Sequence, residues 1–156
     1  MEVATFAAGC FWHIEEEFDK VSGVIKTRVG YVGGKKKNPT YQNVCGGDTG
    51  HVEATEITFN PEKISYEKLL DVFWNLHNPT TKDRQGFDVG KQYNSVIFYH
   101  NLKQKKLAEK SKRERQKDME ERIVTKIKKV TAFWEAEEYH QKYYTKRLCL
   151  KSPDLV

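Results

Sequence analysis

Cys10 is the residue whose type and position first suggest chemistry. It follows a short apolar stretch that ends at Gly9 and precedes a helical pattern of apolar residues, so we expect it at a helix N-terminus. The unpaired backbone N–H groups and the dipole of a helix N-terminus favour negative charge, which would stabilise a thiolate, the nucleophilic form of cysteine. A small buried core cysteine is the other interpretation of its position.

The aromatic pair after the cysteine favours the chemical interpretation. Phe11 can join an apolar stripe with Ile14 and Phe18, whereas Trp12 lies one step around the helix and outside that stripe. Trp12 therefore either caps an apolar edge of the fold or lines a pocket beside the thiolate. An aromatic wall beside a nucleophile suits a substrate that is mostly apolar and carries one polar atom.

The chain contains three cysteines, Cys10, Cys45 and Cys149. This odd number argues against a disulfide framework, and the N-terminus lacks the basic segment of a signal peptide, so we expect a cytoplasmic protein. No two cysteines have the C-x-x-C spacing typical of zinc sites, and we expect no bound metal or cofactor. A free or redox-active thiol remains.

The periodicity of apolar residues predicts the elements that must position Cys10. Strands are expected over 3–8, 24–32, 52–59, 95–99 and 123–130, and helices after residue 10, after the N-cap Ser65 and over 102–118, with a short helix or turn over 136–144 and loops over 35–50 and 80–91. This order predicts an α+β fold: a single-domain two-layer sandwich over residues 1–156, with a mixed sheet covered by helices in a ferredoxin-like arrangement. A long irregular C-terminal tail, mobile from about residue 145, is expected to follow.

Six short motifs extend this pattern over nearly the whole chain, in order and with compatible spacing. They are Gly9-Cys10-Phe11-Trp12, Gly30-Tyr31-Val32-Gly33-Gly34, Asn38-Pro39-Thr40-Tyr41, Val44-Cys45-x-Gly47-x-Thr49-Gly50-His51-x-Glu53-Ala54, Ile64-Ser65-Tyr66 and Arg84-Gln85-Gly86-x-Asp88-x-Gly90-x-Gln92-Tyr93. Together they are similar to the motifs of the peptide methionine sulfoxide reductase A family. The resemblance implies an enzyme that reduces methionine S-sulfoxide, free or in proteins, to methionine.

The resemblance also implies a role for each residue of the site. Cys10 would attack the sulfoxide sulfur, while Glu53, kept protonated by a partly apolar pocket, would protonate the oxygen. Tyr41 and Tyr93 would offer their hydroxyls to the same oxygen. Asp88 would hold a water and order the loop at Cys10.

For substrate binding and recycling, the family resemblance implies four further assignments. Phe11 and Trp12 would grip the methyl group of the substrate. The attack would leave a sulfenic acid on Cys10, which a second thiol must remove. The predicted tail carries Cys149 as the resolving cysteine, and Cys45 is the alternative. Thioredoxin, or dithiothreitol in vitro, would then reduce the resulting disulfide of an enzyme that we expect to be a monomer.

Two other kinds of function are considered. Cys10 could serve an acyl-transfer enzyme with His13 or His51 as the base, although the sequence offers no orienting acid for either histidine. A basic helix could bind RNA or an acidic protein, and its residues are Lys103, Lys105, Lys106, Lys110, Lys112, Arg113, Arg115 and Lys117. A solvated helix face explains these charges better, so we expect neither nucleic acid nor a membrane as a partner.

Overall fold

A six-stranded sheet with three helices on one face forms the frame of the molecule. In chain order the elements are β1 (Glu2–Ala8), α1 (Phe11–Asp19), β2 (Val24–Val32), α2 (Tyr41–Cys45), β3 (Val52–Phe59), α3 (Tyr66–Leu76), β4 (Arg84–Gln85), β5 (Asp88–Val89), a 3₁₀ turn (Lys91–Tyr93), β6 (Ser95–Tyr99), α4 (Leu102–Gln116), β7 (Lys126–Lys129), β8 (Trp134–Glu135) and a 3₁₀ turn (Glu138–His140). The computed structural model describes residues 1–146. Cys149 and the predicted tail beyond residue 146 lie outside the described residues.

The strands of the large sheet follow the order β7-β6-β1-β3-β2-β8. Neighbouring strands are antiparallel, except for the parallel pair β6–β7. An α+β fold with a mixed sheet is therefore confirmed. Strand β7 occupies only 126–129 of the 123–130 range that was predicted for it.

Three short elements differ from the predicted pattern. Helix α2 lies inside the predicted loop over 35–50, where Thr40 forms a capping box with Asn43. The β4–β5 hairpin interrupts the predicted loop over 80–91. Residues 143–146 are helical, so the irregular tail does not begin at residue 145. These elements are too short for hydrophobic periodicity to reveal them.

The main core lies between the sheet and helices α1, α3 and α4. Alternate residues of β1, such as Ala4 and Phe6, face these helices and pack with Ile14 and Phe18 of α1. The sequence suggested that Phe11 would join this stripe, but Phe11 lies outside it. Phe11 packs instead in a separate cluster with Tyr31. The first turn of α1, which follows Cys10, lies over this end of the sheet. No helix in residues 1–146 is long and apolar enough to cross a membrane.

The segment from β8 to residue 146 returns to the sheet edge formed by β2. Strand β8 pairs with β2 through Gly30 and Tyr31. Beyond β8, the Gln141 side chain accepts a hydrogen bond from the Val29 N–H and donates to the Val29 carbonyl, both at 2.9 Å. Lys142 Nζ lies 2.7 Å from Asp19 Oδ1 on α1. This returning segment thereby lies against β2 and the C-terminal end of α1.

Candidate active site

Cys10 is the N-cap of α1, as the sequence predicted, and is half-buried. Gly9, immediately before it, has a φ of +101°, a left-handed conformation that favours glycine. A Cβ atom at Gly9 would lie 2.8 Å from Cγ of Gln85. Glycine is therefore required where the β4–β5 hairpin approaches the loop that carries the thiol.

Glu53 lies at the same end of the sheet as Cys10. Strands β1 and β3 are antiparallel with Phe6 opposite Thr55, which places Glu53, two residues earlier in β3, level with the end of β1. The side chain is 1% exposed. Its Oε1 accepts a hydrogen bond from the Phe11 N–H at 3.2 Å, while its Oε2 is buried and has no hydrogen-bond partner among residues 1–146.

Burial determines the ionisation of Glu53. Removal of the carboxylate from water, reinforced by the nearby charge of Asp88, raises the pKa of Glu53 to about 8 against the opposing effect of the Phe11 N–H. Glu53 is therefore mostly protonated at neutral pH. A protonated carboxyl with one free oxygen is a general acid ready to donate.

The pKa of Cys10 is raised, whereas its position at a helix N-terminus predicted a stabilised thiolate with a lowered pKa. The backbone N–H groups of Trp12 and His13 do lower the pKa of Cys10, as a helix N-terminus should. Burial raises it more, with the charges of Glu53 and Asp88 adding to the increase, and the pKa of Cys10 reaches about 12. The helix N-terminus is present, but it faces a buried thiol with two carboxyls nearby. The repulsion from Glu53 is absent when that carboxyl is protonated.

The structure brings the other predicted polar residues to the same place. Tyr93 ends the 3₁₀ turn after β5; burial, followed by the charges of Glu53 and Asp88, raises its pKa to about 12. Tyr41 begins α2, and its pKa is raised by burial and by a hydrogen bond with Cys45. Asp88 is exposed on the hairpin and acts on both Cys10 and Glu53 through its charge.

Residues of the returning segment complete an aromatic wall beside Cys10. Trp12 Nε1–H donates to Nδ1 of His140 at 2.9 Å, and the Trp12 ring stacks on Tyr143 with centroids 3.8 Å apart. His140 is itself 1% exposed and lies 4.6 Å from the Tyr41 ring. Phe11 is fully buried beneath this aromatic wall, whereas Trp12 is half-buried and forms part of the accessible surface of the wall.

Sequence reasoning missed His140, Tyr143 and Glu137. Glu137 accepts hydrogen bonds from the Tyr31 hydroxyl at 2.9 Å and from the Tyr41 N–H at 3.0 Å, and so fixes the start of α2. These contacts join positions about a hundred residues apart and leave no local pattern. The run of polar residues within an otherwise aromatic segment was the signal that could have found them.

Neither histidine considered for acyl transfer fits that role. The ring of His51 is engaged on both nitrogens: Nδ1 accepts from the Gly34 N–H at 3.1 Å, and Nε2 lies 2.7 Å from the Lys36 carbonyl. His51 therefore ties two loop segments together. His13 is exposed on α1, close to Glu16 and Glu17, in the one cluster of metal-type ligands within residues 1–146. Both carboxylates of that cluster are also near Lys20.

A half-buried thiol near a buried carboxyl that is protonated at neutral pH suits a cysteine-dependent reductase, in which sulfur attacks while an oxygen is protonated. A family model described as peptide methionine sulfoxide reductase matches residues 2–152. A peptide methionine sulfoxide reductase MsrA of Methanosarcina mazei is 57% identical over 149 residues, which cover 94% of this chain and 71% of that protein. The chain belongs to the peptide methionine sulfoxide reductase family.

Solved structures show the same fold. Mxr1 from Saccharomyces cerevisiae in reduced form superposes with a TM-score of 0.90 at 36% identity, covering 94% of this chain and 86% of that chain. Mxr1 in complex with Trx2 superposes with a TM-score of 0.65 at 26% identity, covering 91% and 84% of the two chains. The family and the α+β fold are thus supported by sequence and structure independently.

Proposed function

We propose that this protein reduces methionine S-sulfoxide to methionine, with Cys10 as the nucleophile and Glu53 as the general acid. One observation carries the assignment: Glu53 is 1% exposed, has a pKa of about 8 near the Cys10 thiol, and binds the Phe11 N–H with one oxygen while the other has no hydrogen-bond partner in the described part of the chain. A sulfoxide sulfur becomes electrophilic when its oxygen receives a proton, so this reaction needs the two groups together.

The proposed reaction transfers one oxygen atom from the sulfur of the substrate to the sulfur of Cys10. The Cys10 sulfur attacks the sulfoxide sulfur and forms a sulfur–sulfur bond while Glu53 protonates the oxygen. The sulfur–oxygen bond of the substrate breaks, and the oxygen leaves as water with the protons of Glu53 and of the thiol. This water then attacks the Cys10 sulfur, returns a proton to Glu53 and breaks the sulfur–sulfur bond. Methionine leaves, reduced by two electrons, and Cys10 carries the oxygen as a sulfenic acid, oxidised by two electrons. The thiol proton compensates for the one that Glu53 donates, so the pair regains its starting protonation.

The neighbouring residues support the same reaction. Tyr41 and Tyr93 lie in half-buried positions with raised pKa values, so their hydroxyls stay protonated and can donate to the developing oxyanion. The face of Trp12 that Tyr143 does not cover is the proposed contact for the methyl group, and the buried ring of Phe11 supports it. We propose that the exposed Asp88 holds a water molecule near Cys10, since its charge acts on the thiol.

Recycling requires a second thiol and an external reductant. Cys149 is our proposed resolving cysteine: its thiol would displace water from the sulfenic acid and leave a Cys10–Cys149 disulfide. Tyr144 lies near enough to Cys10 for an ionised Cys10 to raise the pKa of Tyr144, and the three residues from Lys146 to Cys149 can span about 10 Å. Cys45, although exposed, is occupied by the Tyr41 hydroxyl at the end of α2. Thioredoxin is the proposed final reductant, as a related protein binds Trx2, and no bound cofactor is needed.

The connectivity of the four central strands supports a finer description of the fold. Strands β6, β1, β3 and β2 are adjacent in that order and antiparallel, with α1 and α3 in the two crossovers. We propose the ferredoxin-like arrangement for this part of the sheet, with β7 and β8 as later additions at its two edges.

The proposed activity is tested with the two sulfoxide epimers kept separate. Peptides that contain methionine S-sulfoxide or R-sulfoxide are incubated with the enzyme and dithiothreitol, and methionine formation is followed by chromatography. We expect turnover of the S epimer and at least 100-fold less of the R epimer, on the order of one well-placed acid group, because only one epimer directs its oxygen toward Glu53 while its methyl meets Trp12. Equal use of both epimers, or of neither, contradicts the proposal.

The recycling step is tested with Cys149→Ser. This variant should form about one equivalent of methionine per enzyme and then stop when thioredoxin is the reductant, while dithiothreitol should still support turnover. Mass spectrometry of the wild type after one equivalent of substrate should show a Cys10–Cys149 bridge. Cys45→Ser is the matched control and should turn over with thioredoxin. A Cys10–Cys45 bridge, or full turnover by Cys149→Ser, would assign the resolving role to Cys45.

A further inference from the structure

Glu15 is a buried acidic residue that the proposed reaction does not use. It lies on α1, three residues after Trp12, and is 1% exposed. Removal of a carboxyl from water costs free energy, so glutamate is seldom buried this completely without hydrogen-bond or charge partners. The partners of Glu15 therefore show what the side chain is there to hold.

Both carboxyl oxygens of Glu15 have partners, and one partner belongs to the returning segment. Oε1 accepts a hydrogen bond from the Lys142 backbone N–H at 2.6 Å. Oε2 accepts from the Thr27 hydroxyl on β2 at 2.9 Å, and the Lys142 ammonium lies 3.9 Å from the same oxygen. The ammonium also donates to Asp19 at 2.7 Å and to Thr27 at 2.6 Å. Lys142 is thus held at one place by both its backbone and its side chain.

The backbone of Lys142 has a conformation that residues with a Cβ atom seldom adopt. Its φ is +53°, in the left-handed region. Such a conformation persists only where the surrounding contacts fix it, and here the contacts with Glu15 and Asp19 do so. The course of the chain after Lys142 depends on this angle, so the position of Tyr143 depends on it as well.

Lys142 separates the two residues that contact the indole of Trp12. His140, two positions earlier, accepts the indole N–H at 2.9 Å, and Tyr143, the next residue, stacks on the ring with centroids 3.8 Å apart. Trp12 and Glu15 are neighbours on the surface of α1, because residues three apart in a helix lie on the same side. Glu15 therefore fastens the returning segment directly beside the indole.

We propose that Glu15 is a positioning residue for substrate binding: it holds Lys142 in its left-handed conformation and thereby keeps the Trp12 indole in place for the methyl group of the sulfoxide. This inference rests on the proposed function, in which Trp12 contacts that methyl group. Glu15 itself acts through the returning segment and touches no reacting atom. Its hydrogen bonds do the positioning, and its charge is not required.

The first experiment compares Glu15→Ala with Glu15→Gln. Glutamine can form the same bonds, since its amide oxygen can accept from the Lys142 N–H and its amide nitrogen can donate to the Thr27 hydroxyl. Rapid-quench measurements give the rate of the first methionine formed at several concentrations of N-acetyl-methionine S-sulfoxide amide. Glu15→Ala should raise the half-saturating concentration on the order of tenfold and keep the maximal rate within about threefold, as for a lost binding contact. Glu15→Gln should retain the wild-type values.

A second measurement follows the indole of Trp12 without catalysis. The fluorescence difference between each protein and the same protein with Trp12→Phe separates this indole from Trp74 and Trp134. Acrylamide should quench the Trp12 signal about twofold more strongly in Glu15→Ala than in wild type, because local loosening of the returning segment exposes the ring. Glu15→Gln should be quenched as the wild type is.

Two substitutions of Lys142 test the backbone conformation and replace Glu15→Ala if that variant does not fold. Lys142→Gly and Lys142→Val both remove the ammonium and keep the backbone N–H. Glycine adopts a φ of +53° readily, whereas β-branched valine does not. Lys142→Val should therefore show the raised half-saturating concentration and the stronger quenching, and Lys142→Gly should show neither.

Gln104→Ala is the matched control for the loss of a buried polar side chain. Gln104 is 3% exposed and also holds two backbone groups, the His100 N–H and the Val3 carbonyl, both at 2.9 Å, at the opposite end of β1 from Cys10. Its replacement should lower the free energy of unfolding and change neither readout.

Three results would overturn the positioning role: equal readouts for Glu15→Ala and Gln104→Ala, a Glu15→Gln protein as impaired as Glu15→Ala, or equal readouts for the two Lys142 variants. A wild type that reduces no S-sulfoxide would instead contradict the proposed function. The fluorescence of Trp12 would in that case still decide whether Glu15 positions the indole.

Discussion

Cys10→Ser is expected to form no detectable methionine from methionine S-sulfoxide, in multiple turnover or in a single turnover at high enzyme concentration. A serine hydroxyl is a weak nucleophile near neutral pH. Unlike sulfur, its oxygen cannot be oxidised by two electrons, so it cannot take the oxygen from the substrate. The substitution replaces the sulfur atom by oxygen and leaves the shape of the half-buried N-cap side chain nearly unchanged. The free energy of unfolding should therefore change by less than about 1 kcal/mol.

Cys45→Ser provides the control for the loss of a thiol. Cys45 is exposed at the end of α2, and its replacement should leave the single-turnover rate within about twofold of the wild-type rate, since a serine hydroxyl can keep the hydrogen bond to Tyr41. A reagent that traps sulfenic acids should label Cys10 after one equivalent of substrate in a protein that carries both Cys45→Ser and Cys149→Ser, because no second thiol is then left to resolve the sulfenic acid. Methionine formation by Cys10→Ser at the wild-type rate would refute the nucleophile assignment.

The second large effect is expected for Glu53→Gln. The amide keeps the shape of the buried side chain and can still bond to the sulfoxide oxygen, but it has no acidic proton to transfer. The rate of sulfenic acid formation should fall by roughly 10²–10⁴-fold, the usual contribution of general acid catalysis, with Tyr41 and Tyr93 supplying the remainder. Rapid-quench measurement of methionine in a single turnover gives this rate directly.

The pH dependence of that loss follows from the raised pKa of Glu53. The folded protein holds the carboxyl proton up to about pH 8, where an ordinary glutamate would have lost it. The ratio of wild-type to Glu53→Gln rates should therefore be largest and constant below pH 8. Above pH 8 the wild type loses the acid while the variant has none to lose, so the ratio should shrink.

The same carboxyl proton contributes to stability with a defined sign. Its native pKa is raised, so the native state binds a proton that the unfolded state releases between about pH 4.5 and 8, and native stability falls as pH rises through that window. Glu62→Gln, at an exposed position, serves as the control and should change neither the rate nor this pH dependence. Equal pH profiles for Glu53→Gln and wild type would show that another group is the acid.

The elements predicted best from the sequence are those with strong periodicity. Strand β2 spans 24–32 as predicted, and α3 begins after Ser65, whose hydroxyl accepts from the Lys68 N–H at 3.2 Å. Local capping and alternating burial suffice for such elements because they depend on neighbours in sequence. The position of Cys10 as a helix N-cap was predictable for the same reason.

The ionisation of the site was less predictable. Helix position alone predicted a lowered pKa for Cys10, whereas burial and two carboxyls from distant elements raise it. Glu53 could be named through the resemblance, but its single hydrogen bond to the Phe11 N–H depends on how β3 and α1 pack. Desolvation depends on tertiary packing, which residue type and spacing do not encode locally.

The returning segment has a consequence for when the enzyme becomes competent during its own synthesis. Trp12 is synthesised 128 residues before His140, the residue to which its indole N–H donates a hydrogen bond. By the time β6 and α4 have emerged, a nascent chain has all the strands that place Cys10 beside Glu53, but it lacks the aromatic wall. Until Gln141 and Lys142 fasten the segment to β2 and α1, the thiol has no completed pocket in which to discriminate substrates. Specificity is thus acquired only after the returning segment has been synthesised, when the nucleophile and the acid are already in place.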